Sequence, residues 1–130
     1  MTPVPHVPVS WGELIDKITI LEIKVQRLRQ PDAVANAQLE LALLLEPLAA
    51  LRQADPELGR LRHELGAVNR SLWDIEDRIR EKEARQSFDA DFIALARAVY
   101  RTNDDRSRIK REINRLLRSA IIEEKQYVQY

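Results

Sequence analysis

Apolar residues recur along most of the chain at alternating spacings of three and four, a pattern typical of helices that pack through one continuous apolar face. In the first such stretch the recurring positions are Trp11, Leu14, Ile18, Leu21, Val25 and Leu28. Similar patterns predict helices over residues 10–30, 33–54, 56–86 and 90–122. The sequence therefore predicts an all-α fold: an antiparallel four-helix bundle with coiled-coil-like packing and a long C-terminal helical hairpin.

The two ends of the chain lie outside the predicted helices. Three prolines within residues 1–9 favour an extended N-terminal strap, and residues 123–130 are left as a tail. Ser10 and Glu13 form a capping box, which predicts a sharp start for the first helix. At 130 residues the chain fits a single helical domain, 1–130.

Proline and glycine interrupt two of the predicted helices. Pro47 removes one backbone hydrogen bond, so it should kink or divide the second helix. Gly59 and Gly66 each weaken the third helix by roughly 1 kcal/mol. We expect a neighbouring helix to pack closely against both glycines.

The predicted helices differ in length, which bears on assembly. The first two span about 30 Å each and the last two about 45 Å, so the C-terminal hairpin should overhang. The first helix also carries Ile15, Ile20 and Ile23 away from its main apolar face. A helix that is apolar on several faces is central or contacts two partners. The overhang and the second stripe together predict a homodimer, or a protein partner docked on the overhang.

Charge and composition narrow the partners further. The 21 basic and 21 acidic residues balance, which disfavours nucleic acid as a partner. The absence of Cys excludes a disulfide framework and fits a reducing compartment, so we expect a cytoplasmic protein. The longest apolar run is far too short to span a bilayer, and no membrane association is expected.

Arg106 is the most informative single residue, because the apolar register turns it inward together with Thr102. A buried guanidinium without a partner would be severely destabilising, so it needs a carboxylate from another helix. The candidates by facing are Asp16, Glu22, Glu76 and Asp77. The favoured interpretation is a polar layer that fixes helix register, as inward polar residues do in coiled coils.

Metal and catalytic sites find less support in the sequence. The two histidines, His6 and His63, lack the Glu-x-x-His spacing of helical di-iron sites. An all-carboxylate Mg²⁺ site could be assembled from Glu13, Asp16, Asp74 and Asp77, although solvated helix surface explains these acids more often. We predict no metal and no cofactor, and the sequence identifies no catalytic residue.

Four stretches resemble the motifs of a small bacterial all-helical family of unknown function. They read SWGELIDKITILEIK from Ser10, LWxIEDxIR from Leu72, VYxxNDxRxxIKxxIN from Val99, and EEKxY from Glu123. The resemblance implies no activity, and it hints at a link to envelope-sugar metabolism. Within these stretches, polar residues that an apolar seam does not require are the best site candidates: Asp16, Lys17, Asn103, Asp104 and Lys110.

Two functions stay open at this point. The first is a non-catalytic interaction or oligomerisation module. The second is a small all-α enzyme or ligand-binding protein with a charged pocket between helices, formed by the site candidates and Arg106. A pocket of roughly 300 Å³ or more at these residues would favour the second. A bundle in which every buried polar group is paired internally would favour the first.

Overall fold

The computed structural model describes residues 1–51 and 55–130, and within these ranges it contains four α-helices and no strand. Helix α1 spans Trp11–Arg27, α2 spans Pro31–Ala49, α3 spans Pro56–Ala84 and α4 spans Ala90–Leu116. The helices pack against one another, which confirms the predicted all-α fold.

Helix α1 lies at the centre of the arrangement, because its backbone approaches those of α2, α3 and α4. Helices α3 and α4 pack on each other as a hairpin, while α2 approaches α1 alone among the described helices. The best-buried cluster joins Ile15 of α1 to Leu61 and Leu65 of α3 and to Ile109 and Ile113 of α4. A central α1 agrees with its apolar residues on several faces.

The second apolar stripe of α1 is covered within one chain. Ile15 and Ile23 are buried and Ile20 is half-buried. The expectation that this stripe is left for a second copy is therefore wrong, because the other three helices surround α1. Any dimer has to use a different face.

Side chains hold the start of α1 against the end of α4. Ser10 Oγ accepts a hydrogen bond from the Glu13 amide at 3.1 Å, as the predicted capping box requires. The Glu13 carboxylate accepts instead from Lys110 Nζ at 2.7 Å. The Trp11 amide donates to Ser119 Oγ at 3.3 Å. First-turn amides of α1, which have no partner inside the helix, are thus bonded by residues beyond it.

Gly12 is the glycine that a close approach requires. Its amide donates to Asn114 Oδ1 at 2.7 Å, and a Cβ at this position would lie 2.5 Å from the Lys110 carbonyl oxygen. The expectation of tight packing at Gly59 and Gly66 is wrong. Among the described residues, a Cβ on Gly59 would meet nothing within 4 Å, and one on Gly66 would meet only ordinary contacts.

Helix α2 continues through Pro47 and ends at Ala49, so the proline does not divide it. Pro47 lies in the last turn, where the loss of one backbone hydrogen bond interrupts little of the helix. The predicted end of this helix falls within residues 52–54, which lie outside the described residues. Neither α2 nor another helix of the described residues is long and apolar enough to cross a membrane.

Helix α4 ends at Leu116 instead of residue 122, and its end has a defined geometry. Arg118 adopts a left-handed conformation with φ 51°, and the Ser119 amide donates to the Asn114 carbonyl at 2.8 Å. This is the Schellman arrangement, which usually places glycine at the left-handed position. Because the chain has arginine at this position, the sequence does not indicate that the helix ends here.

The long hairpin extends beyond the other two helices, as expected. Helices α3 and α4 have 29 and 27 residues, against 17 and 19 for α1 and α2. At 1.5 Å per residue the hairpin is about 42 Å long and the shorter helices about 27 Å. Between Asn69 and Ile109 only Leu95 is buried. The distal hairpin is therefore held by a single, half-exposed seam.

Candidate functional site

Asp16 is the centre of a polar layer inside the bundle. Its fully buried carboxylate accepts a pair of hydrogen bonds from Arg106, from Nε to Oδ1 at 2.9 Å and from Nη2 to Oδ2. Asn69 Nδ2 donates to the same Oδ1 at 2.9 Å and to Thr19 Oγ1 at 2.8 Å. Of the four acids that the register allowed, Asp16 is the partner of Arg106.

Lys110 carries the layer towards the surface. Its buried side chain places Nζ 2.7 Å from Glu13 Oε2, 3.2 Å from Glu123 Oε2 and 4.0 Å from Asp16 Oδ2. Burial by itself would lower the pKa of Lys110, but the hydrogen bond that it donates to Glu13 and the charge of Asp16 raise the pKa above the ordinary value. The hydrogen bond to Asp16 likewise raises the pKa of Arg106. Both cations stay charged across the physiological range.

The polar layer is satisfied by its own members. Among the described residues, no buried side-chain nitrogen or oxygen lacks a hydrogen-bond partner. Bidentate, charge-assisted hydrogen bonds of the Arg106–Asp16 kind fix orientation as well as adding energy. This geometry favours a structural role for the layer, setting the register between α1, α3 and α4.

The C-terminal tail, residues 119–130, runs back along α4. Ser119 Oγ donates to the Ile121 carbonyl at 2.6 Å, and Glu123 accepts from Lys110. Further along, Glu124 accepts from Arg111 at 3.2 Å. At the far end the Tyr130 hydroxyl donates to the Asp104 carboxylate. The tail is therefore attached to α4 at several points over the length of about two to three helical turns.

A groove of about 640 Å³ lies between this tail and α4. We call it the tyrosine groove, because all three tyrosines of the chain line it. Its lining residues are Tyr100, Asn103, Asp104, Arg106, Ser107, Lys125, Tyr127, Val128 and Tyr130. The groove thus combines aromatic rings, two cations, one carboxylate and neutral hydrogen-bonding groups, and its volume exceeds the roughly 300 Å³ that would favour a ligand-binding protein.

The structure distributes the predicted site residues over three places. Asp16, Arg106 and Lys110 meet in the polar layer, while Asn103, Asp104 and Arg106 line the tyrosine groove. Arg106 belongs to both. The other three candidates lie elsewhere: Lys17 and Asp77 are exposed, and Glu76 pairs with Arg80 on its own helix at 3.5 Å.

The four acids of the possible Mg²⁺ site do not converge. Glu13 binds Lys110, Asp16 binds Arg106, and Asp74 accepts from Arg27 at 2.6 Å. Within residues 1–51 and 55–130 there is no group of three or more acidic, histidine or cysteine side chains that could hold a metal ion. The acids serve as partners for cations.

Sequence reasoning missed three polar partners of the layer, Thr19, Asn69 and Glu123, and also the buried Asn114 that accepts from the Gly12 amide. Asn69 follows Leu65 by four residues, so helix geometry puts both on one face, and this spacing could have identified it. Asn114 follows Lys110 by four residues in the same way. Glu123 lies in the tail, where no helical period indicates which side chain turns towards α4.

A search of curated proteins and a search of solved structures each found no match. The scan against family models gave a match over residues 5–129, which includes all four helices and nearly all of the tail. The chain therefore belongs to the family of unknown function DUF6165.

Proposed function

We propose that the protein is a non-catalytic helical interaction module that forms a two-fold homodimer through the outward face of α2. One observation carries the proposal: in a 19-residue helix rich in Leu and Ala, only Ala37 is buried. Leu39 keeps 65% of its surface exposed, and Leu43, one turn further along, is exposed as well. Contiguous exposed apolar residues of this kind mark interaction surfaces.

The chemistry of this face supports a second copy of the chain as the partner. Ala35, Leu39, Ala42 and Leu43 are exposed and uncharged, so the surface that covers them should be apolar too. A second α2 meets this requirement. With 19 residues the helix is about 28 Å long. Two such helices side by side would bury on the order of 1,000 Å², the lower bound for a specific interface. A two-fold axis gives the commonest closed assembly.

The absence of catalysis is proposed from the polar layer. The ionised groups that meet at Asp16 pair with one another, so we assign none of them the role of an acid, base or nucleophile. A chain without Cys fits a reducing compartment, and we propose the cytoplasm as its location. The link to envelope-sugar metabolism stays a prediction from resemblance.

Sedimentation velocity of the wild type and of Leu39→Glu tests the proposal. At micromolar concentration we expect the wild type near twice the 15.1 kDa mass of one chain. Leu39→Glu should shift it to monomer, because two carboxylates would enter an apolar contact. The variant should keep its helical circular dichroism, because Leu39 makes little contact within the chain.

Ile93→Glu is the matched control, since Ile93 is an exposed apolar residue on the distal hairpin. It should leave the dimer intact. A wild type that sediments as a monomer would overturn the dimer. Dissociation by Ile93→Glu but not by Leu39→Glu would move the interface to the overhanging hairpin.

A further inference from the structure

All three tyrosine side chains line the tyrosine groove, and all three are exposed to solvent. Tyr100 comes from α4, while Tyr127 and Tyr130 come from the tail, and all three are 42% to 74% exposed. The rings of Tyr100 and Tyr130 meet edge to face, with centroids 5.0 Å apart. Aromatic side chains gathered in a concave, solvent-exposed site are well placed to contact the face of a ring-shaped ligand.

Two cations line the same groove. Arg106 uses Nε and Nη2 for Asp16, but a guanidinium has five N–H donors, and the side chain keeps 26% of its surface exposed. Lys125 has its nearest carboxylate, Glu123, at 3.8 Å, the geometry of a weak surface pair. Both residues therefore have donors left for an anion.

The remaining polar lining suits a small molecule. Asp104, the acid of the groove, already accepts a hydrogen bond from the Tyr130 hydroxyl. Asn103 and Ser107 supply neutral donors and acceptors. The volume of about 640 Å³ lies within the ordinary range for ligand sites, roughly 300 to 1,000 Å³.

We propose that the tyrosine groove binds a small ring compound that carries a phosphate group. Arg106 and Lys125 would hold the anionic group, and the tyrosine rings would contact the face of the ligand ring. The groove lies on α4 and the tail, away from the outward face of α2, so this proposal does not depend on the dimer.

Fluorine NMR of protein labelled with 3-fluorotyrosine tests the proposal. The three tyrosines give three resonances, and every one of them reports on the groove. Phenyl phosphate, glucose 6-phosphate and inorganic phosphate serve as probes. We expect at least one of the two ring phosphates to shift the resonances in a saturable manner. Inorganic phosphate should bind at least about tenfold more weakly, because it lacks the ring contact.

Lys125→Gln and Lys17→Gln form the matched pair of variants, since both lysines lie away from the buried core. Lys125→Gln should weaken binding of the ring phosphate about tenfold, the effect of losing one charged hydrogen bond. Lys17→Gln should leave it unchanged. The proposal is overturned if neither ring phosphate gives a saturable shift at millimolar concentration. Equal weakening by both variants would also overturn it, because attraction would then be non-specific.

Discussion

Replacing Arg106 with leucine would remove the guanidinium from Asp16 while keeping an apolar side chain at the helix interface. From the sequence alone, a layer that only sets helix register predicts that Arg106→Leu leaves stability unchanged or raises it, as often happens when a whole buried ion pair is replaced by apolar residues. The structure reverses this expectation. Asp16 is fully buried, whereas the Arg106 side chain keeps 26% of its surface exposed. Loss of the arginine therefore leaves Asp16, the more deeply buried ion of the pair, without its bidentate partner.

The expected loss follows from what would remain around Asp16. The carboxylate would keep the hydrogen bond from Asn69 and the Lys110 ammonium at 4.0 Å, but would lose both bonds from the guanidinium. We expect Arg106→Leu to lower the free energy of unfolding by about 3 to 5 kcal/mol. Asp16→Asn should cost less, about 1 to 3 kcal/mol, because Arg106 can turn towards water.

Urea unfolding followed by circular dichroism at neutral pH measures both losses. A cycle of Asp16→Leu, Arg106→Leu and the double variant gives the coupling between the two residues. The double variant should lose less than the sum of the single losses, because neither ion is left without the other. A loss below about 1 kcal/mol for Arg106→Leu would refute the reasoning, since such a value is typical of solvated surface residues.

Two further predictions use the glycines and the tail. Gly12→Ala should destabilise the protein by at least about 2 kcal/mol, because the new Cβ would press on the Lys110 carbonyl. Gly59→Ala should instead stabilise it by about 0.5 to 1 kcal/mol. Thermal unfolding of both variants checks the opposite signs, and equal shifts in melting temperature would contradict the close contact at Gly12. Burial raises the pKa of Glu123, but the hydrogen bond and the charge of Lys110 outweigh burial and bring the pKa below the ordinary value of 4.5. Ionised Glu123 therefore stabilises the fold above pH 4.5, and this stabilisation is lost as the pH falls below that value and the carboxylate is protonated. Unfolding at several pH values should show the advantage of wild type over Glu123→Gln fading below pH 4.5, and a constant advantage would contradict the pairing.

Helix periodicity predicts the parts of the fold that depend on one face of each helix. It places Arg106 inward and limits its partner to four acids, of which Asp16 is the one used. The same pattern predicts the all-α class and the overhanging hairpin. These features follow from the sequence because a side chain three or four residues away lies on the same face whatever the neighbouring helix is.

Periodicity does not determine how closely two helix backbones approach. All three glycines of the chain are alike in sequence as possible contact points, yet in the part of the chain that the structure describes only Gly12 meets the backbone of another helix. The close contact depends on which residue of α4 faces the first turn of α1, and that is set by the polar layer one turn further on. Periodicity does not predict the path of the tail either, because Glu123 and Tyr130 pair with residues that lie 13 and 26 positions earlier in the chain.

The polar layer and the tyrosine groove share residues. This connection gives a reason why a small bundle keeps so many charged groups inside. Arg106 binds Asp16 on one side and lines the groove on the other. Lys110 connects Asp16 and Glu13 to Glu123, the first acidic anchor of the tail. An apolar layer could stabilise the helix packing as well as ions do, but it could not fix the tail that forms the outer wall of the groove. The ions of the layer therefore stabilise a particular surface as well as a particular helix register.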